Sequence, residues 1–213
     1  MNALATQQAI KQSDGYTVFG LTGGIASGKS FVSSLLVRKL IPVVDADLCA
    51  RDVIVSGSLG LSQLVDEFGT GILLDNQLNR TKLAELVFGC PEQLAKLNAI
   101  MQPLIASHSA YLIRLHQQMG CKLVCYDAAL LIESGQAESF RPLVVVACEP
   151  EIQLKRLMKR GLSKEQAEAR MASQLPTKDK TAVADFVISS NGTKEETTLQ
   201  VETLIKQLEG KTT

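Results

Sequence analysis

A glycine-rich segment between a strand pattern and a helix pattern constrains this sequence most strongly. The apolar run Val18–Thr22 predicts a short buried strand, and it leads directly into Gly23-Gly-Ile-Ala-Ser-Gly-Lys-Ser30. The segment matches G-x-x-x-x-G-K-[ST] in full, in the strand–loop–helix context that this motif requires. Residues 29–40 predict the helix, because their apolar side chains share one helical face: Val32, Leu35, Leu36 and Leu40.

The residue types in this loop suit the binding of phosphate. Glycines let the backbone curl so that successive N–H groups converge on phosphate oxygens, and the helix N-terminus adds partial positive charge. Lys29 is placed to reach terminal phosphates, and the Ser30 hydroxyl is suited to hold Mg²⁺. The sequence therefore predicts an ATP-binding segment of Gly23, Gly24, Ile25, Ala26, Ser27, Gly28, Lys29, Ser30 and Phe31.

The rest of the chain alternates apolar strand patterns with helix patterns, which predicts a parallel sheet covered on both faces. The expected architecture is therefore an α/β, P-loop NTPase-type three-layer fold with a five-stranded parallel sheet. Residues 1–15 carry no periodicity and are predicted to be a disordered leader to a single domain at 16–213. Residues from about 48 to 118 read as mostly helical, with short turns. The strands are expected near 18–22, 42–45, 123–127, 143–147 and 185–188.

Two near-matches bear on the choice between ATP and GTP. A GTPase carries a guanine-reading N/T-K-x-D motif, but Thr177-Lys-Asp-Lys180 has its Asp one place early. Asp66-Glu-Phe-Gly69 matches the switch pattern D-x-x-G, yet it follows a helical pattern instead of a buried strand. These departures favour ATP and a kinase over a GTPase switch.

Carboxylates follow two of the predicted strands, at the edge where open parallel sheets bind ligands. Asp45 and Asp47 end the second strand, and Arg51 lies four residues after Asp47 on the same helix face. A carboxylate there can accept a proton from an attacking hydroxyl, although Asp45 could equally cap a helix and Asp47 could pair with Arg51 on the surface. Asp127 ends the third strand, where such folds place a Mg²⁺-coordinating Asp, and a turn or cap residue is the alternative.

Two later helical patterns carry basic side chains. Arg156 and Arg160 are four residues apart, as are Arg170 and Gln174. Guanidinium groups on a mobile helical flap would stabilise transferring phosphate and exclude water. A solvated basic face is the alternative for each of them.

Overall charge and composition exclude several classes of protein. The 213 residues hold 22 Lys+Arg against 22 Asp+Glu and no Trp, which argues against nucleic acid or an acidic membrane as partner. No apolar run approaches the ~18 residues of a membrane span. Five cysteines without a secretion signal indicate free thiols in the cytoplasm. Cations are concentrated locally, since residues 151–180 hold eight Lys+Arg against four Asp+Glu.

An ordered series of motifs resembles the dephospho-coenzyme A kinase family from about Val18 to the final helix. The series begins with the glycine-rich loop and Pro42-Val-Val-Asp-Ala-Asp47 with Arg51. It continues through these segments: Leu78-Asn-Arg80, Leu130-Leu131 with Glu133, Gln153 to Arg160, Arg170 with Ser173-Gln174, and Ala184-Asp-Phe-Val-Ile188.

The resemblance implies ATP-dependent phosphorylation of the ribose 3′-hydroxyl of dephospho-CoA, the last step of CoA synthesis, with Mg²⁺ and ATP. It implies an inserted acceptor-binding region at about 48–118 and a lid at about 151–178. Asp47 is the implied base, with Lys29 and Arg160 on the ATP phosphates. The implied substrate contacts are Asp47, Arg51, Arg80, Asp127 and Leu130, the implied metal ligands are Ser30 and Asp127, and Asn191 is implied in the ATP site.

Some positions depart from the family pattern. Gln102 precedes Pro103 where His is usual, Ala129 replaces a Pro, and Ser190 replaces an Asn that lies beside the adenine. Two other functions therefore stay open at this stage. One is a kinase for a nucleoside or nucleoside monophosphate, and the other is a non-catalytic module that binds nucleotide to regulate a partner.

Overall fold

The computed structural model describes residues 15–210, so the predicted leader lies, apart from Gly15, outside the described residues. The strands of this part are β1 (Thr17–Gly23), β2 (Val43–Asp45), β3 (Leu73–Leu74), β4 (Gln77–Leu78), β5 (Leu123–Asp127), β6 (Leu143–Ala147) and β7 (Phe186–Ser189). The helices are α1 (Lys29–Arg38), α2 (Ala46–Asp52), α3 (Leu59–Phe68), α4 (Arg80–Val87), α5 (Pro91–Gln118), α6 (Pro150–Lys159), α7 (Lys164–Ala172), α8 (Thr177–Ala182) and α9 (Lys194–Glu209).

Five strands form one sheet in the order β2-β5-β1-β6-β7, which confirms the predicted α/β fold. The pairings of β1 with β5, β1 with β6 and β6 with β7 are parallel. In this register Leu21 lies opposite Asp127, so the end of β1 and the end of β5 meet at one edge of the sheet. The phosphate loop follows β1 at that same edge.

The main core lies between the sheet and helices α1 and α9. Phe19 and Leu21 on β1 are wholly shielded from solvent, and they belong to one apolar cluster with Val32 and Leu36 of α1 and Leu204 of α9. Burial of each such large side chain stabilises the fold by about 1.5–3 kcal/mol. This packing fixes the start of α1, and with it Lys29 and Ser30, relative to the central strand.

Residues Asp45–Leu112 form a compact unit with its own core, distinct from the unit of residues 15–44 and 113–210. Ile54, Leu64, Ile72 and Leu83 make up its buried centre. The predicted helices are present, and the unit also contains a hairpin of β3 and β4 that the sequence analysis did not predict. Its turn residues, Asp75 and Asn76, both have positive φ (50° and 58°), which is the geometry of a two-residue hairpin turn.

Helices α6 and α7 pack against the phosphate loop. Ala26 of the loop shares a buried cluster with Leu157 of α6 and Ala167 of α7. Helix α7 begins with a capping box, because Ser163 and Gln166 bond reciprocally at its start. This helix ends at Ala172, and Pro176 then precedes a short helix, α8.

None of the helices within residues 15–210 is long and apolar enough to cross a membrane.

Candidate active site

The phosphate loop has the curled backbone that its sequence predicts. Gly28 precedes α1 with φ of 97°, and Ala26 also has a positive φ, 58°, which is uncommon for a residue with a side chain. A Cβ atom on Gly23 would lie 2.6 Å from the carbonyl oxygen of Val146. Glycine is therefore required at position 23 because the loop passes directly against β6.

Lys29, at the start of α1, and Asp127, at the end of β5, lie side by side. The Lys29 ammonium donates to Oδ1 of Asp127, and the two groups form an ion pair. The Ser33 hydroxyl donates to Oδ2 of Asp127 at 2.5 Å, and Asp127 is only 3% exposed. The carboxylate of Asp127 therefore faces the phosphate-loop lysine.

Sequence reasoning missed Ser33, although a signal for it was available. Ser33 lies four residues after Lys29 on α1, so both side chains project from the same helix face. Each of the two bonds to a different oxygen of Asp127. The carboxylate is thereby held in a fixed orientation next to the loop.

The donor set at this edge fits Mg²⁺ held jointly with nucleotide phosphates. Ser30 is exposed at the first turn of α1, and Asp127 supplies a carboxylate nearby in the same unit. Mg²⁺ prefers oxygen ligands, and it is usually bound by one or two protein groups together with substrate phosphates and several waters. Within residues 15–210 no group of three or more His, Cys, Asp or Glu side chains is arranged to hold a metal by itself.

The two aspartates at the start of helix α2 have different environments. Oδ1 of Asp45 accepts hydrogen bonds from the N–H groups of Asp47 and Leu48, at 2.7 and 3.1 Å, so Asp45 is the N-cap of the helix. Asp47 lies in the first turn and Arg51 in the last, and both are exposed. In the part of the chain that the structure describes, they do not form an ion pair. Both side chains are therefore open to a ligand.

Arg80 and Leu130 are both exposed to solvent. Arg80 is the first residue of α4, after the N-cap Asn79. Leu130 follows β5 and is 51% exposed, whereas the next residue, Leu131, is buried in the core. The departure at Ala129 leaves this turn tied to the sheet, because the Thr22 hydroxyl donates to the carbonyl oxygen of Ala129 at 3.1 Å.

The two arginines of α6 have different environments. Nη1 of Arg156 donates to the carbonyl oxygen of Ala26 at 3.0 Å, and Nη2 donates to that of Ser190 at 2.7 Å. Arg160 is the exposed C-cap of the helix, next to Gly161. The guanidinium of Arg156 is therefore engaged with backbone, and that of Arg160 faces solvent.

Two further residues predicted in the ATP site make contacts within the protein. Oδ1 of Asn191 accepts from the N–H of Glu149 at 2.8 Å, which ties the end of β7 to the start of α6. The half-buried ring of Phe31 packs against the main core, and the ammonium of Lys194 lies 5.6 Å from the centre of that ring.

This geometry defines a class of protein. A central parallel sheet, a phosphate loop that opens a helix, and a lysine–aspartate pair at the loop are the features of a P-loop phosphotransferase.

The comparisons with known proteins identify the family. The dephospho-CoA kinase family matches residues 17–196. A dephospho-CoA kinase of Bdellovibrio bacteriovorus is 44% identical over 89% of this chain and 95% of its own. One from Arabidopsis thaliana is 42% identical over 90% of this chain and 83% of its own. The chain belongs to the dephospho-CoA kinase family.

Solved structures agree. A Thermus thermophilus protein superposes with a TM-score of 0.77 and 29% identity, over 91% of this chain and 98% of its own. A dephospho-CoA kinase from Campylobacter jejuni superposes with a TM-score of 0.70 and 25% identity, over 92% of this chain and 98% of its own. The predicted function is thereby confirmed: this chain is a kinase that uses ATP to phosphorylate dephospho-CoA, the last step of CoA biosynthesis.

Proposed function

We propose that the acceptor atom is the ribose 3′-hydroxyl of dephospho-CoA and that Asp47 is the general base. The observation that supports the proposal is the Lys29–Asp127 pair at the phosphate loop, because a cation and an anchoring carboxylate beside this loop suit the terminal phosphates of ATP. The 3′-oxygen attacks the γ-phosphorus and the bond from that phosphorus to the β–γ bridging oxygen breaks. ADP leaves, and the hydroxyl proton passes to the Asp47 carboxylate.

Lys29 and Arg160 have complementary proposed roles in this reaction. Lys29 starts α1 with its ammonium directed at the site edge, and it would move from Asp127 to the β- and γ-phosphates when ATP binds. Arg160 has an exposed guanidinium at the end of α6, which would neutralise charge on the transferring group. Ser30 and Asp127 would hold Mg²⁺, which would offset the negative charge of the phosphates.

The two further regions would bind the acceptor and exclude water. We assign the region at about 48–118 to dephospho-CoA, because its exposed cations, Arg51 and Arg80, suit the diphosphate of that substrate. Leu130, exposed beyond β5, would contact the apolar part of the acceptor. Residues 151–178 would act as a lid over ATP, with Asn191 near the adenine, and the protein would work in the cytoplasm.

A coupled assay of ADP formation tests the proposal. The purified protein with Mg²⁺ and ATP is offered dephospho-CoA, adenosine or AMP, and a reaction without acceptor gives the background. We expect ADP formation above background with dephospho-CoA alone and a product phosphorylated on the 3′-oxygen, located by NMR. Turnover with adenosine or AMP instead would indicate a nucleoside or nucleotide kinase, and tight ATP binding without turnover would indicate a regulatory module.

The metal is tested separately. Removal of Mg²⁺ with a chelator should abolish turnover, and its return should restore it. Turnover that is unaffected by the chelator would overturn the assignment of Ser30 and Asp127 as metal ligands.

A further inference from the structure

Three consecutive carbonyl groups of the phosphate loop are each bonded by a side chain from another part of the chain. The carbonyl oxygen of Ile25 accepts from Nε2 of Gln153 at 2.9 Å. That of Ala26 accepts from Nη1 of Arg156 at 3.0 Å. The carbonyl oxygen of Ser27 accepts from the hydroxyl of Ser190 at 2.5 Å. These bonds come from α6 and from the residue that follows β7.

The direction of these bonds matters for phosphate binding. In a loop whose N–H groups converge on an anion, the carbonyl groups must turn away from it. The carbonyl groups of this loop point into the protein, since Ala26 and Ser27 are only 8% and 1% exposed. A buried carbonyl without a donor costs about 1–3 kcal/mol. The three side chains therefore satisfy the carbonyl groups of the loop in its curled arrangement.

Arg156 and Ser190 form a unit within this arrangement. Nη1 of Arg156 donates to the Ser190 hydroxyl at 2.9 Å as well as to Ala26, and Nη2 donates to the Ser190 carbonyl oxygen at 2.7 Å. The planar guanidinium thus joins the loop to the end of β7 with a fixed fork of donors. Ser190 also lies against the loop itself, because a Cβ on Gly28 would be 3.2 Å from its hydroxyl oxygen.

The loop conformation held in this way is unfavourable by itself. Ala26 has φ of 58°, and a left-handed conformation costs roughly 1–2 kcal/mol for a residue with a side chain. A loop without its outer bonds would relax to other conformations, and ATP would then bind only the competent fraction. The apparent dissociation constant rises in inverse proportion to that fraction.

We propose that Arg156 and Ser190 are positioning residues, which hold the phosphate loop ready for ATP from behind and do not contact the nucleotide. The proposal goes beyond the general base and phosphate ligands described above. It predicts that the two residues control the affinity for any nucleotide that fills the loop, with little effect on the chemical step once ATP is bound.

The test measures the Kd of ADP and ATP by calorimetry, and kcat and KM with dephospho-CoA. We expect Arg156→Ala to raise the Kd of ADP and of ATP by the same factor, about tenfold or more, as loss of a charged hydrogen bond implies. The kcat at saturating ATP should stay within about twofold, by the logic of uniform binding. Ser190→Ala, which removes no charge, should shift both Kd values in the same direction.

The double variant and two further variants make the test decisive. Arg156→Ala/Ser190→Ala should raise Kd by less than the product of the single effects, because both act on the same loop. Arg156→Lys should recover part of the affinity, and Lys206→Ala, which removes an exposed cation of α9, should change nothing. Circular dichroism identifies any variant that fails to fold, and Ser190→Ala is the milder change on which the test then rests.

Two outcomes would overturn the proposal. A large loss of kcat in Arg156→Ala, with ATP affected much more than ADP and Ser190→Ala neutral, would mean that Arg156 contacts the transferred phosphoryl group. Unchanged Kd values in all of these variants would mean that the outer bonds do not position the loop. Failure of the acceptor assay alone would leave the ADP measurements interpretable, since these need no acceptor.

Discussion

Nζ of Lys180 lies 2.5 Å from Oε1 of Glu133, and the two residues form an ion pair that is shielded very unequally. The Lys180 side chain has no exposure to solvent, whereas that of Glu133 is 19% exposed. Oε1 of Glu133 also accepts from the N–H of Leu175, at 3.2 Å. The pair thus ties α8 and the end of the segment after α7 to the turn that follows β5.

This difference in exposure to solvent predicts which of the two substitutions destabilises the protein more. Glu133→Gln leaves a wholly buried ammonium without its anion and should lower the free energy of unfolding by about 3–5 kcal/mol. Lys180→Met should cost less, because Glu133 retains solvent contact and the Leu175 N–H. Urea unfolding measures both. The control is Glu85→Gln, which breaks the exposed pair with Lys82 and should change stability by less than about 1 kcal/mol. A larger loss in Lys180→Met than in Glu133→Gln would contradict this reasoning.

Asp47→Asn should lower kcat by about 10² or more, because a general base contributes typically that much. The melting temperature should not change, since the Asp47 side chain is exposed. Initial rates with dephospho-CoA, together with a thermal melt, check both expectations. Glu195→Gln, which changes an exposed carboxylate of α9, serves as the control and should keep full activity. Turnover of Asp47→Asn near the wild-type rate would reduce Asp47 to a positioning role.

The sequence predicted the sheet and the phosphate loop because these depend on local patterns. Apolar runs define strands, and the loop motif encodes its own curl. Asp127 was therefore expected at the strand ends where ligands bind, whereas its contact with Lys29 was not predicted. Side chains that support the loop from outside were not identified, because their role depends on tertiary contacts. Arg156 and Ser190 are 34 residues apart and meet only in the folded chain. The β3–β4 hairpin was missed because strands of two residues carry no periodicity.

The cysteines should react with thiol reagents in two groups. Burial raises the pKa of the Cys49 and Cys148 thiols and raises the pKa of Cys125 well above its usual range. The thiolate is the reactive form, so these three should be alkylated slowly in the native protein near neutral pH, and faster only as the pH rises. Cys90 and Cys121 are half-buried and should react first.

Peptide mapping after brief treatment with iodoacetamide measures this order, and a urea-unfolded sample provides the control in which all five react. The same pKa shifts predict how the stability of the fold changes with pH. A thiol with a raised folded pKa stabilises the fold below its unfolded pKa of about 8.5, and this contribution is lost as the pH rises beyond it. Labelling of Cys125 as fast as Cys90 in the native protein would contradict the burial argument.

Two variants should separate the contribution of the Lys29–Asp127 pair to folding stability from its contribution to catalysis. Lys29→Met leaves the Asp127 carboxylate, 3% exposed, without the ammonium that faces it. We expect a loss of about 3 kcal/mol in the free energy of unfolding and a fall in kcat of about 10² or more, because a cation on the phosphates is also lost. Lys29→Met/Asp127→Asn removes both charges, so it should recover most of the stability and remain inactive. Urea unfolding and the ADP assay measure the two properties on the same preparations. Recovery of activity in the double variant would mean that Lys29 serves only to neutralise Asp127. Wild-type stability of Lys29→Met would mean that the ion pair contributes nothing to the stability of the fold.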